Sequence, residues 1–197
     1  MEKLYLEEPS LARKDDVVDY MLEHQKYNSN INGSGGFDHI LDGKSYEELL
    51  ENNLKMSNKE YAYSKNRCPG KTFFLIREED NKLVGMINIR HDLNEVMQRF
   101  GGNIGYGIRP TERRKGYNKI NLYLGLIKAR DEFNLEKVML SCNVENIGSD
   151  KTITSLGGIL QRCEVDPSDN KLANIYYIDV NDSIEKYKDI YEFKVLK

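Results

Sequence analysis

The stretch from Gly101 to Arg130, GGNIGYGIRPTERRKGYNKINLYLGLIKAR, constrains the fold more than any other part of the chain. Ile104, Tyr106 and Ile108 alternate with Gly105, Gly107 and Arg109, which is strand period, and Pro110 ends the ladder because it has no N–H. From Ile120 the apolar positions Tyr123, Leu124 and Ile127 follow helix period. Between strand and helix lies Arg113-Arg114-Lys115-Gly116-Tyr117-Asn118. A glycine there lets backbone approach a ligand closely, and the first N–H groups of the helix have no intrahelical partners. With the positive end of the helix dipole and three adjacent cations, this predicts a phosphate or pyrophosphate site. Each charge-assisted hydrogen bond in such a site contributes roughly 1.5–3 kcal/mol.

Arg113-x-x-Gly116-x-Asn118, entered from Ile108-x-Pro110, resembles the acetyl-CoA loop of the GNAT superfamily of N-acetyltransferases, with Asn118 in place of the usual final small residue. A second segment agrees. Val138–Cys142 reads as a buried strand and leads into Asn146-x-x-Ser149 and a helical run closed by Gly157, which resembles the Asn-x-x-(Ala/Ser) helix of the same family; Gly158 stands where a Phe is usual. The combination of residues 72–94 with GGNIGY and ERRKGY is similar to a bacterial subgroup of uncharacterised GNAT proteins.

The resemblance implies an α/β (α+β) fold. A central mixed, mostly antiparallel twisted sheet of six to seven strands carries helices on both faces, and a splayed parallel strand pair binds acetyl-CoA. It implies direct acetyl transfer to an amine of a small molecule or a peptide N-terminus, without a metal. Tyr106, Gly107 and Ile108 would pair with pantetheine through main-chain groups. Arg113, Arg114, Lys115, Gly116, Tyr117, Asn118 and Lys119 would hold the pyrophosphate, with Asn146 and Ser149 on the following helix. Many relatives protonate the leaving sulfur with a Tyr on that helix, but the matching position is Ile153, so the acid is unassigned. That departure supports an alternative, a GNAT-fold protein that binds or senses acyl-CoA without turnover. Candidates for the base are His91, Glu112 and Tyr176 or Tyr177, and Asn103 could orient the acceptor or a water. A structural role is equally open to His91 and Asn103, and Glu112 reads as a solvated residue ahead of the loop.

A chain of 197 residues is expected to form one domain with a sizeable core. A mean hydropathy of -0.66, no long apolar run and no apolar N-terminal segment point to a soluble, cytoplasmic protein without a membrane partner. Cys68, Cys142 and Cys163 lack paired spacing, and His24, His39 and His91 have no ligand spacing with them, so neither disulfides nor a metal site are expected. A pI near 5.7 argues against nucleic acid. Residues 1–60 hold 13 acids and 7 bases, whereas residues 61–132 hold 8 acids and 14 bases. The basic middle suits CoA, and the acidic first third suggests a cationic acceptor. A monomer or homodimer is expected.

In chain order, the pattern predicts a strand at Lys3–Glu7 and a helix from Pro9-Ser10 to Leu22 with Leu11, Val17, Val18, Met21 and Leu22 inward. Asn28–Gly43 reads as a flexible loop, either a linker or a lid over the acceptor. A helix at Tyr46–Met56 buries Leu49, Leu50 and Leu54. A hairpin follows at Thr72–Arg77 and Leu83–Arg90, then a short helix at Asp92–Phe100. After the CoA helix come a strand at Val138–Cys142, a helix at Gly148–Leu156, and strands at Ile159–Val165 and Asn174–Val180. Ser183–Lys197 is ambiguous, read as a last helix with a frayed end.

Overall fold

The hairpin of β2 (Gly70–Arg77) and β3 (Lys82–Arg90) forms the centre of the computed structural model, which describes residues 2–192. Both of its faces are apolar. Phe73 and Leu75 point to one side with Val84, Ile87 and Ile89, while Phe74 and Ile76 point to the other with Leu83 and Met86. A sheet apolar on two sides must be covered on two sides. Helices α1 (Lys14–Lys26) and α2 (Tyr46–Lys55) cover one face with Val17, Met21, Leu49 and Leu50. Helices α4 (Tyr117–Phe133) and α6 (Val180–Tyr191) cover the other with Ile120, Leu124 and Ile184. A short helix, α3 (Lys59–Ser64), leads into β2.

β1 (Leu4–Glu7) pairs with β2, and β4 (Ile104–Ile108) pairs with β3, giving a four-stranded sheet in the order β1-β2-β3-β4. β5 (Lys137–Asn143), β6 (Ile159–Asp166) and β7 (Lys171–Asp179) form a second sheet in the order β5-β7-β6, with α5 (Ile147–Thr154) between β5 and β6. Every ladder is antiparallel. The seven strands therefore do not make one continuous sheet. β4 and β5, joined through α4, meet at a seam made by one residue. The Asn103 N–H donates to Met139 O at 2.8 Å, and the Met139 N–H donates to Asn103 Oδ1 at 2.9 Å. Asn103 Nδ2 donates to Arg90 O at 3.0 Å, and Arg90 N–H donates to Asn103 O at 2.7 Å. Beyond this seam β4 and β5 share no ladder, and a cleft opens between them.

Several elements differ from the sequence pattern for identifiable reasons. A 3-10 turn occupies Leu11–Arg13, so α1 begins at Lys14 and its inward stripe is Val17, Tyr20, Met21 and His24. Leu11 and Leu22 are left exposed. On α2 the stripe runs Tyr46, Leu49, Leu50, Asn53, which turns Leu54 outward. Residues 28–43 include a 3-10 turn at Phe37–Asp42 whose Phe37 is fully buried against Tyr46 and Phe74. The short helix expected at Asp92–Phe100 begins later and is wound as a π-helix over Met97–Gly101. The helix expected in the tail is α6, started by Asp179, whose side chain accepts from Asp182 N–H; residues 193–197 lie outside the described residues.

The start of α4 is held by a buried carboxylate. Glu112 accepts from Arg77 Nη1 at 2.8 Å, Lys82 Nζ at 2.9 Å and Lys115 Nζ at 2.8 Å. It is a buried anchor of the loop and not a solvated residue. Burial opposes its charge, but Lys115, Lys82 and Arg77 outweigh that and hold the carboxyl down at about 2. Arg77 also donates to Tyr117 Oη at 3.1 Å and reaches Asp80 at 2.7 Å, so the hairpin end and the first residue of α4 move as one.

Two expectations follow. Gly102 has φ 69° and ψ -177°, and a Cβ there would lie 2.3 Å from Met139 O, so Gly102→Ala opens the seam. Urea unfolding should register a loss of at least about 2 kcal/mol. The carboxyl of Glu112 titrates at about 2 when folded and near 4.5 when unfolded, so its stabilisation is complete above pH 4.5 and disappears as pH falls through 2. Glu112→Gln should cost about 3 kcal/mol at neutral pH and flatten the acid limb of the stability profile between those values.

Candidate functional site

The cleft between β4 and β5 has a volume of about 1050 Å³ and runs from the Arg113–Lys119 loop to Arg90. One wall is the open edge of β4. Arg109 and Val84 form a hydrogen-bonded pair in the β3–β4 ladder, and Arg90–Asn103 is another, so by antiparallel alternation Gly107 and Gly105 also direct their main-chain groups to β3. Ile104, Tyr106 and Ile108 then turn theirs to the cleft. This corrects the expectation for Gly107, whose peptide groups belong to the ladder. The Ile108 carbonyl already accepts from Arg113 Nε at 3.1 Å.

At the loop, Arg113 is extended, Arg114 has φ 64°, and Gly116 precedes α4 in the left-handed region. Lys119 N–H donates to Gly116 O at 3.2 Å, whereas the N–H groups of residues 114–118 donate to nothing among the described residues. These donors sit at the positive end of a 17-residue helix, an arrangement suited to a diphosphate. Arg113, Arg114, Asn118 and Lys119 line the cleft; Lys115 turns away to Glu112. Asn118 lines the cleft where the family pattern has a small residue, and its Oδ1 is buried without a hydrogen-bond partner. Arg113 Nη2 also donates to Ser29 Oγ at 2.6 Å, tying the strap of residues 28–33 across the end of β4.

Midway along the cleft two hydroxyls meet. Tyr106 Oη lies 2.9 Å from Ser149 Oγ, and Asn146 caps α5 by accepting from Ser149 N–H at 3.1 Å. Burial pushes the Tyr106 phenol well above its ordinary value, with the Ser149 bond working against it, so it keeps its proton at neutral pH. The alternation that marks Tyr106 as a strand residue says nothing about its hydroxyl, because Ser149 is distant in sequence. Cys142 lines the same wall, and burial pushes its thiol up to about 11, which leaves it protonated and a poor nucleophile.

The residues expected to carry the chemistry are elsewhere. His91 places Nε2 3.2 Å from Ser57 O and stacks on Phe133, and it lines neither this cleft nor the recess below. Asn103 precedes β4 and uses its amide and both backbone groups at the seam. Tyr176 donates to Asp150, the neighbour of Ser149 on α5, and accepts from Asn174; neither it nor Tyr177 lines the cleft. Ile153 is fully buried.

A second recess of about 350 Å³ joins the cleft, sharing Asn32, Gly33 and Arg90 with it. The junction is narrow because Gly33 lies on β4: a Cβ there would be 2.7 Å from both Gly105 O and Tyr106 Cα. Acids of the first sixty residues do not converge on it. Glu7 and Asp16 bind Arg13, Asp19 and Glu23 bind Arg109, and Glu47 binds Lys14. Asp38 alone among them lines the recess, accepting from Ser34 Oγ. Among the described residues no group of three or more His, Cys, Asp or Glu could hold a metal, and no helix is long and apolar enough to cross a membrane.

Comparisons with known proteins agree with this geometry. The family model described as Acetyltransferase (GNAT) family matches residues 44–157. The chain is similar in structure to RimL, a ribosomal protein alpha-N-acetyltransferase in complex with coenzyme A, at 14% identity and TM-score 0.62 over 90% of this chain and 94% of that one. It is similar to the dodecameric spermidine N-acetyltransferase from Vibrio cholerae at 16% identity and TM-score 0.62, over 94% and 97% of the two chains. It is also similar to MccE, a microcin self-immunity acetyltransferase in complex with acetyl-CoA and AMP, at 15% identity and TM-score 0.64, over 90% and 92%. No curated protein sequence matches. A family match over more than half of the chain, on a fold with an open β4 edge and a phosphate-ready loop, makes this chain a member of the GNAT family of acetyltransferases.

Proposed function

We propose that the protein transfers the acetyl group of acetyl-CoA directly to the amine of a small acceptor. The observation that carries this reading is the sequence of groups along one cleft. Unpaired N–H donors at residues 114–118 suit the pyrophosphate, the outward peptide groups of Tyr106 and Ile108 suit pantetheine, and the Tyr106 hydroxyl lies further in.

In this reading the Tyr106 N–H holds the carbonyl oxygen as charge develops on it. A neutral amine adds to the carbonyl carbon, the C–S bond breaks, and the thiolate takes the Tyr106 proton, which Ser149 helps to position. The amine's extra proton leaves to water, and water returns a proton to the Tyr106 phenolate. Tyr106 thus supplies the acid missing at Ile153 and favours turnover over a silent acyl-CoA sensor. The protonated, buried Cys142 is consistent with direct transfer rather than an acyl-enzyme.

Calorimetric titration of acetyl-CoA, with thiol release followed after addition of pooled amines, tests the assignment. Binding with amine-dependent thiol release is expected; binding without release would favour the sensor, and no binding would refute the site. Arg114→Glu should weaken acetyl-CoA binding at least about tenfold, since it reverses a charge-assisted contact. Tyr106→Phe should lower kcat roughly 100-fold while the Kd for acetyl-CoA changes little. No histidine lines the cleft or the recess among the described residues. The kcat/KM profile should therefore rise with pH as the acceptor's own amine loses its proton. Its midpoint should shift when an amine of different pKa is used, rather than staying near the imidazole value of about 6.5.

A further inference from the structure

Arg90 stands apart from the other inward-facing arginines. Arg13 meets Glu7 and Asp16, Arg77 meets Asp80 and Glu112, and Arg109 meets Asp19 and Glu23. Arg90 has no carboxylate partner among the described residues, and its one side-chain hydrogen bond runs from Nη1 to the Gly102 carbonyl at 3.0 Å. Its Nη2 lies 3.7 Å from the position a Cβ on Gly105 would take, beside the middle of β4. Burial holds its guanidinium below the ordinary arginine value, with Arg67 adding repulsion. Arg90 is half-buried, so a charge partly withdrawn from water without a partner carries a cost that a second cation nearby raises.

The recess around it repeats the imbalance. Its ionised lining is Arg67 and Arg90 against Asp38. Of the carboxamides around them, Asn53 donates to Gly35 O and Thr72 Oγ1, Asn88 to Lys71 O and Thr72 Oγ1, Asn52 accepts from Tyr61 and Asn94 from Met97 N–H, which leaves Asn32 and Asn66 as neutral polar groups of the lining. The two guanidinium groups are the unmatched charges, and arginine's planar fork matches a carboxylate in bidentate geometry. A volume of about 350 Å³ suits a molecule of amino-acid size.

We propose that the acceptor is a small amine that also carries a carboxylate, bound in the recess with that carboxylate on Arg90 and Arg67 and its amine directed across Gly105 to the acetyl group. This rests on the acetyltransferase reading above. It replaces the cationic acceptor suggested by the acidic first third of the chain, because of those acids only Asp38 lines the recess, where two guanidinium groups outnumber it. An acceptor with several positive charges would meet two guanidinium groups in the recess.

The test compares free amino acids, the matching amino-acid amides and spermidine on the full chain, by thiol release and by direct calorimetric binding. Free acids should be used with a kcat/KM at least tenfold above their amides, and spermidine should rank lowest. Arg90→Gln should abolish the acid-over-amide preference by raising KM, and Arg90→Lys should restore part of it. Arg67→Gln, on the other wall, should lower the preference and gives an independent variant if Arg90→Gln is poorly folded. Equal use of acids and amides, or a preference for spermidine or for uncharged peptide N-termini, would overturn the proposal. Acetyl-CoA binding is titrated separately. If acetyl-CoA does not bind, the acetyltransferase reading fails, and amino-acid binding to wild type against Arg90→Gln still decides the anion site. Absence of that binding overturns it.

Discussion

The fold turns on Asn103. One residue joins two antiparallel sheets by giving its backbone to β3 and β5 and its carboxamide to both, after which nothing holds β4 and β5 together. A continuous ladder there would satisfy the edge of β4 with another strand and leave no main-chain donors for a ligand. The seam therefore does two things: it keeps the two sheets in one packed body and sets the point from which they diverge. The buried, fully bonded state of Asn103 explains why a polar residue is tolerated there and leaves it no group free for chemistry.

Charge is distributed by the same economy. Buried arginines tie separate elements together where carboxylates reach them: Arg13 links β1 to the β2–β3 turn, Arg109 fastens α1 to the end of β4, and Arg77 with Glu112 sets the start of α4. The loop donors at residues 114–118 and the guanidinium of Arg90 are left without such partners, at opposite ends of one cleft. Unmatched donors at one end suit a diphosphate, and an unmatched guanidinium at the other suits a carboxylate, with the Tyr106 hydroxyl between them.

Much of this was legible in the chain. The strand period at Ile104–Ile108, the Pro stop and the basic Gly-containing loop lie within one short run, so local pattern suffices to place the loop between β4 and α4 and the Asn146–Ser149 cap. Helix faces were less legible where a terminus shifted: a 3-10 turn before α1 rotated the stripe away from Leu11 and Leu22. Lys115 could not be distinguished from its basic neighbours, because its partner Glu112 is buried only through Arg77 and Lys82 from a different hairpin. His91 drew notice for its titration range, yet its surroundings, Ser57 and Phe133, come from distant segments.

The sequence by itself determined most of the elements, the family and the basic Gly-containing loop, because periodicity, prolines, glycines and caps act over a few residues. Tertiary structure decided which polar groups are left over. Whether a side chain is matched depends on partners far along the chain, as with Tyr106 and Ser149 or Arg90 and the carboxylates that do not reach it. An active site is made of such leftovers, since a group already satisfied by the fold has nothing to offer a substrate.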